Sequence, residues 1–378
     1  MKTLRKASIY VLPVAFLVLL FLPFLNGTMG IWEYERKDEN RTFKDTVPTV
    51  DFSKLDDFPK EADLYFSDNF SFRSPLLDLY HNIKFSYFKI SPHPDKTIVG
   101  NNGWFFMSLK EKEIYEGKHD FTKMQLDAFL NEWKKRTKYL DSLDIKTYWI
   151  IAPMKHYVYK DELPFNVYSP KGRRVDQLKK HFEADLPNLI FDPLSILLNN
   201  KDNKKLFYKL DNHWNFHSGY LTTQKLIEKI KVDIPNSNLT QMPGVDWLDT
   251  VIYSGFHHSV IGIPELNEIR QIPFVQNIAS VESEKYGFPC VPNFAYPWEY
   301  EIRYTNKKTK SGLKILFIRD SFGGQMMPYI KEMFAESVFI FDAWRYQFNK
   351  PIIEAVKPDV IVYLGLETHL ENMLKDYK

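Results

Sequence analysis

Cysteine is nearly missing from this 378-residue chain, and Cys290 is the only one. A single thiol forms no internal disulfide and no zinc site of the multi-cysteine kind. Cys290 sits between prolines in a loop-like stretch with no base beside it, and reads as structural. The shortage does not exclude export, because oxidising compartments permit disulfides without requiring them. An excess of charge is missing too. The 50 basic residues nearly cancel the 48 acidic ones, for a formal net charge of +2. That balance leaves no basic face or stripe for nucleic acid. No Ala-x-Ala cleavage site follows the first apolar run, so a retained anchor is expected rather than a removed signal peptide. Internal repeats and low-complexity tracts are also absent.

Aromatic residues are plentiful, at 16% of the chain. Their flat apolar faces suit sugar-binding clefts, although filling the core is their commoner role. The amino terminus is short and basic (Lys2, Arg5, Lys6), and residues 7–26 carry no charge. Such a run is long enough to cross a hydrocarbon core of ~30 Å as a helix. Pro13 and Pro23 are tolerated in lipid-embedded helices. Positive charge before the run keeps the amino terminus in the cytoplasm, which places everything from about Gly27 outside.

Three parts are expected: a cytoplasmic tip and transmembrane anchor over 1–30, a stalk and helical region over 31–95, and a catalytic domain over 96–378. Within 31–95, residues 31–60 are polar and irregular, and 68–89 have helical spacing, with Leu76, Leu77, Tyr80 and Ile83 recurring. Asn101-Asn102-Gly103 between apolar runs signals a hairpin. Residues 121–143 form an amphipathic pattern with Leu126, Phe129, Leu130 and Trp133 on one face. Beyond it, short apolar runs at 147–152, 189–191, 314–318, 337–341 and 359–364 alternate with helical patterns at 175–186 and 218–230. Strands separated by helix-length segments imply βαβ units and a mostly parallel sheet flanked by helices, an α/β fold. Residues 232–300 break the rhythm and are expected to be an irregular insertion over the sheet's active edge.

Two motifs carry chemistry. In Asp211-Asn212-His213-Trp214, an Asp two residues before a His in a loop can turn its carboxylate to the imidazole and leave the other ring nitrogen free as a base. A turn aspartate, a structural histidine, or a metal pair of His213 with His217 are the alternatives. In Arg319-Asp320-Ser321-Phe322-Gly323-Gly324, a serine follows a buried strand and opens a helix, where open α/β sheets bind ligands. Ser321 as a mere N-cap is the alternative there. Taken together, the motifs supply a nucleophile, a base and an orienting carboxylate.

The order Asp-x-His-Trp, then Asp-Ser-Phe, resembles the SGNH-hydrolase-like O-acetyltransferases of the AlgJ/AlgX (DHHW) group. Further segments carry the likeness: Glu39-Asn40-Arg41, residues 65–73 (YFSDNFSFR), residues 99–106 (VGNNGWFF), and Ile151-Ala152-Pro153-Met154-Lys155 followed by Tyr159 and Leu163-Pro164. The resemblance implies a circularly permuted SGNH fold, with Asp211 orienting, His213 as base and Ser321 as nucleophile. It implies Trp214 packing the histidine loop and amides near Gly323 and Gly324 supporting an oxyanion. Lys155, Trp104 and Arg319 are candidates for substrate contact, and Trp247, Trp298 and Trp344 are further possible sugar platforms. Arg319 stands where the esterase block has Gly, and residues 254–257 stand where alginate-type members carry Gly-Asp-Leu, which leaves the glycan open.

The implied activity is transfer of an acetyl group, through an acetyl-serine, to hydroxyls of a cell-surface or exported polysaccharide. Carbohydrate acetyl esterase or a non-catalytic polysaccharide-binding scaffold are the alternatives. No cofactor and no metal are expected. The expected partners are the polysaccharide, the membrane, and an acyltransferase of the MBOAT type delivering acetyl groups. The expected location is a bacterial cell membrane, with the catalytic domain in the periplasm or at the cell exterior. The short run after the last strand suggests the anchored, single-domain AlgJ-like architecture, without a carbohydrate-binding module.

Overall fold

A computed structural model describes residues 2–36, 42–168 and 172–375. Glu39-Asn40-Arg41 lies outside the described residues. The chain divides into two compact units, residues 1–94 with 258–265 and residues 95–257 with 266–378. Segment 258–265, expected within the 96–378 domain, thus packs with the smaller unit.

In the smaller unit, helix α1 (Lys2–Met29) runs through Pro13 and Pro23. Its stretch Tyr10–Met29 has a mean hydropathy of 2.1 and is almost wholly exposed, so it is long and apolar enough to cross a membrane. Helix α2 (Phe58–Asp68) begins with a proline in its first turn, where the missing N–H costs nothing. Helix α3 (Arg73–His81) continues as a π-helical turn over Asn82–Tyr87. The single helix expected over 68–89 is therefore broken at its start. Asn69 ends α2 by returning its side-chain amide to the Tyr65 carbonyl, and the Asp68 carboxylate accepts the Lys44 amide at 2.9 Å.

Among the described residues, the larger unit holds eleven strands: β1 (Thr97–Val99), β2 (Phe105–Met107), β3 (Lys146–Ala152), β4 (Ile190–Phe191), β5 (Val245–Ile252), β6 (Glu268–Val275), β7 (Val281–Glu282), β8 (Glu301–Thr305), β9 (Lys314–Arg319), β10 (Glu336–Phe341) and β11 (Val360–Leu366). Seven of them form one sheet in the order β4-β3-β11-β9-β10-β8-β7. The first five are mutually parallel, while β8 runs antiparallel to β10 and β7 antiparallel to β8. Strand β9 explains the arrangement. Its Ile315 and Phe317 enter one apolar cluster, and its Leu316 and Ile318 enter another on the opposite face. A strand covered on both sides has no polar face to alternate with, hence the unbroken apolar run. Leu226, Ile227 and Ile230 of helix Phe216–Asp233 pack into the first cluster. Phe129 and Trp133 of helix Lys123–Asp141, with Leu178 and Phe182 of helix Arg174–Phe182, pack into the second.

The expected hairpin forms, with β1 and β2 antiparallel around Asn102 and Gly103, both at positive φ. The stretch 232–300 is less irregular than expected. Strands β5 and β6 pair over eight residues each as a separate two-stranded sheet. Leu248, Val251, Ile269 and Phe274 stay exposed on it, so no apolar run or clean alternation announces the pair.

Candidate active site

Strand β9 delivers Ser321 to the carboxyl edge of the parallel sheet. Asp320 caps a short 3₁₀ turn, Ser321–Gln325. Its carboxylate is fully buried, and a buried carboxylate must be satisfied. One oxygen accepts the Phe322 amide at 2.8 Å, and the other accepts the Leu366 amide at 2.7 Å and the Tyr346 hydroxyl at 2.9 Å. Those bonds tie the serine turn to the end of β11. Helix Phe216–Asp233 crosses the same turn so closely that a Cβ on Gly219 would overlap the Gln325 carbonyl.

The second loop is closed by an antiparallel bridge between Phe207 and Trp214 and by Tyr208 N–H donating to the His213 carbonyl at 3.2 Å. Asn215 then caps the following helix by accepting the His217 and Ser218 amides. Within this loop the His213 Nδ1 lies 2.5 Å from an Asp211 carboxylate oxygen, and its Nε2 lies 2.7 Å from the Ser321 Oγ. The three side chains thus make one continuous chain of contacts. About a quarter of the His213 side chain (26%) remains exposed.

Burial by itself would raise the Asp211 carboxyl. The His213 ring, together with the backbone amides of His213 and Phe256, more than reverses this and holds it well below the usual carboxylate range. The carboxylate is therefore ionised at neutral pH. The Phe256 amide reaches the oxygen that does not touch the ring, at 3.0 Å. Gly255 makes that approach possible. Its φ is +138°, and a Cβ there would overlap the Leu210 carbonyl.

The remaining candidates distribute as follows. Trp214 is fully buried, and its indole N–H donates to the Phe322 carbonyl at 2.7 Å. The glycine amides are engaged within the turn itself. The Gly323 amide donates to the Asp320 carbonyl at 3.2 Å, and the i→i−3 pattern of the turn engages Gly324 as well. The Ser321 amide has no protein partner among the described residues. Lys155 is not positioned for substrate. It is 2% exposed, and its ammonium donates to the main-chain carbonyls of Phe105 and Asp211 at 2.7 and 2.5 Å. Burial brings its pKa down to about 7, against the pull of the Asp211, Glu268 and Glu111 carboxylates. Arg319 is also buried, pairing with Glu299 at 3.2 Å and standing over the Phe341 ring. Trp104 is 5% exposed and stacks on Tyr159 at 3.9 Å. These three are scaffold, since a charge or ring already covered by protein has little left to offer a sugar.

His217 is held by Gln271 at 2.7 Å and stacks on Trp247 at 3.6 Å. No group of three His, Cys, Asp or Glu suited to a metal occurs among the described residues. Trp298 is the exposed tryptophan of the four platform candidates. Sequence reasoning missed Glu268. Its carboxylate accepts the Lys209 and Leu210 amides at 2.7 and 3.2 Å, directly before Asp211, and pairs with Arg270. Lying in β6, where no periodicity stands out, it gave no signal.

Residues 97–280 match the family model described as "SGNH hydrolase-like domain, acetyltransferase AlgX". The matched segment holds Asp211 and His213 and ends before Ser321. Several solved structures are similar to this chain. PatB1 of Bacillus cereus with a sulfonyl adduct has 14% identity and a TM-score of 0.49, over 73% of this chain and 99% of that one. A DHHW family protein from Eubacterium siraeum has 11% identity and a TM-score of 0.49, over 73% and 95%. The O-acetyltransferase domain of Pseudomonas putida AlgJ has 13% identity and a TM-score of 0.46, over 74% and 94%. No curated protein matches the chain in sequence. By the family match, residues 97–280 are similar to the SGNH hydrolase-like domain of the acetyltransferase AlgX.

Proposed function

We propose that this chain is a membrane-anchored O-acetyltransferase that acetylates a polysaccharide outside the cytoplasm, with Ser321 as nucleophile, His213 as base and Asp211 as orienting carboxylate. The observation that carries the reading is the unbroken line from Asp211 through His213 to the Ser321 Oγ, with contacts of 2.5 and 2.7 Å. His213 Nε2 takes the hydroxyl proton as Ser321 attacks the carbonyl carbon of an acetyl ester. The Asp211 carboxylate stabilises the imidazolium. The tetrahedral oxyanion lies against the unpartnered Ser321 amide. On collapse, the donor oxygen leaves with the proton from His213, and an acetyl-serine remains. A sugar hydroxyl then gives its proton to His213 and attacks the acetyl carbonyl. The Ser321 oxygen departs and regains a proton.

Acetyl-CoA is absent outside the cell, so the donor reaches the site through a membrane acyltransferase of the MBOAT type. The exposed apolar helix α1 keeps the enzyme at the surface where that donor emerges. Retention of all three side chains favours catalysis over a passive scaffold. In the test, the protein is incubated with an activated acetyl ester and analysed by peptide mass spectrometry. Acetyl on Ser321, absent from Ser321→Ala, is the expected result. No adduct together with unchanged turnover in Ser321→Ala would end the proposal. Adding glycan separates transfer from hydrolysis, since a transferase diverts acetyl from acetate to sugar.

A further inference from the structure

The smaller unit has an amphipathic pattern whose apolar side is turned outward. Leu76, Leu79, Tyr80, Ile83 and Tyr87 recur at the three- and four-residue steps of one helical face, and all five are exposed, Leu79 at 56% and Tyr87 at 81%. A helix in water buries such a stripe, and exposed apolar patches of this size mark an interaction surface. Phe66 and Phe70 extend it and, with Ser67, Arg73, Leu76 and Leu77, line a groove of about 420 Å³.

One direct hydrogen bond, and a set of contacts through Trp32 and Tyr34, tie this surface to the apolar helix α1. The Ser71 hydroxyl, in the turn between α2 and α3, donates to the Pro23 carbonyl at 2.8 Å. Pro23 lies within the apolar stretch Tyr10–Met29, about 9 Å inside its outer end at 1.5 Å per residue. The Asn26 side chain accepts the Trp32 amide at 2.7 Å and donates to the Trp32 carbonyl at 2.9 Å, folding the chain back along the helix it has just left. Phe72 then meets Trp32 and Tyr34, with ring centroids 6.0 and 5.8 Å apart. Aromatic rings gather in this way at the level of lipid headgroups. Beyond the stripe, the Lys84 and Lys89 ammoniums lie over the Tyr80 and Phe85 rings. Such lysines rest their stems on apolar surface while the charge reaches a polar headgroup layer.

We infer that α3 and its π-helical continuation lie in the outer leaflet of the bilayer, with Leu76, Leu79 and Ile83 in lipid, as a second membrane attachment beside α1. The occupant is lipid rather than a protein groove because the turn carrying the stripe is hydrogen-bonded to α1 at a level where α1 itself is surrounded by acyl chains. Helices of this kind bind in the plane of the interface. The inference rests on α1 being the anchor, and the experiment separates the two.

Full-length protein with Cys290→Ser and one new cysteine, at Leu79, Ile83 or Val18, is labelled with an environment-sensitive fluorophore. It is reconstituted alone in phosphatidylcholine nanodiscs containing nitroxide-labelled lipid. The expected result is that labels at positions 79 and 83 are quenched by the nitroxide to about the same extent as the label at 18, and are shielded from aqueous iodide. Labels at 79 and 83 that iodide reaches and the lipid does not quench, with position 18 quenched, would overturn the inference and leave the anchor standing. The stripe would then face water or a protein partner. An unquenched label at 18 would remove the anchor, and the inference with it.

Discussion

Trp214 donates its indole N–H to the main-chain carbonyl of Phe322 at 2.7 Å, so the residue after the histidine is bonded to the residue after the serine. The two loops are 108 positions apart in the chain, and this buried bond joins them beside the His213–Ser321 contact. The Phe322 ring also meets His213 at 4.8 Å and Trp214 at 5.7 Å. In the proposed mechanism, bonds that the chemistry does not break keep the base and the nucleophile aligned through the proton-transfer cycle.

Trp214→Phe keeps the ring and removes the donor. The Phe322 carbonyl then loses one buried hydrogen bond, at a cost of about 0.5–1.5 kcal/mol. Acetyl transfer is expected to fall about tenfold or more in kcat with KM little changed, because alignment rather than sugar binding is lost. Steady-state kinetics on the purified variant check this, and a change confined to KM would contradict it.

Asp211→Asn tests the orienting carboxylate. The amide is nearly the same size but cannot stabilise an imidazolium and favours the wrong tautomer, a change that costs roughly 10³–10⁴ in kcat in comparable triads. Thermal unfolding should shift only modestly, since one side-chain oxygen remains to accept the His213 or Phe256 amide. Wild-type turnover in this variant would remove Asp211 from the mechanism.

Gly219→Ala places a methyl group against the Gln325 carbonyl. Backbone has no rotamer with which to yield, so the helix and the serine turn must separate. A loss of stability of about 1–3 kcal/mol is expected, with a drop in turnover larger than a stability change alone would produce. Chemical denaturation and turnover measured on the same sample check both.

Lys155 gives a pH signature. Its folded pKa of about 7 lies below the usual lysine value of 10.5. Below pH 7 both the folded and the unfolded state carry the charge, and the full cost of burying it is present. Between pH 7 and 10.5 the folded protein has shed the proton while the unfolded chain keeps it, so stability rises with pH. A neutral amine still has two hydrogens for the Phe105 and Asp211 carbonyls. Urea unfolding at pH 6.5 and 9 should show wild type gaining about 2 kcal/mol relative to Lys155→Met. A difference that stays constant across that range would show that the amine does not titrate there.

Much of this arrangement could be read from the residues in order. The run KILFI had to be a covered strand, and a serine three residues after it had to reach the sheet's carboxyl edge. The Asp-x-His spacing was legible because two residues of loop suffice to turn a carboxylate onto its own histidine. Lys155 and Arg319 misled for one physical reason. A charged side chain near a strand end looks the same whether it meets a ligand or main-chain carbonyls and a buried ring, and only folding decides which. The glycine amides misled similarly, because a 3₁₀ turn and a longer helix expose different N–H groups at their start. Glu268 and the Phe256 amide were illegible. Both come from a stretch without a regular pattern, and both act by holding main chain.

Strand β11, the last strand among the described residues, is inserted between β3 and β9, and its Leu366 amide holds the Asp320 carboxylate beneath Ser321. The serine turn therefore has no floor until residue 366 has arrived. A polypeptide that emerges amino terminus first, from a ribosome or through a translocation channel, carries its histidine loop for more than a hundred residues with nothing to activate. On the proposed mechanism, reactivity toward acyl esters is expected only once this strand has taken its place in the middle of the sheet.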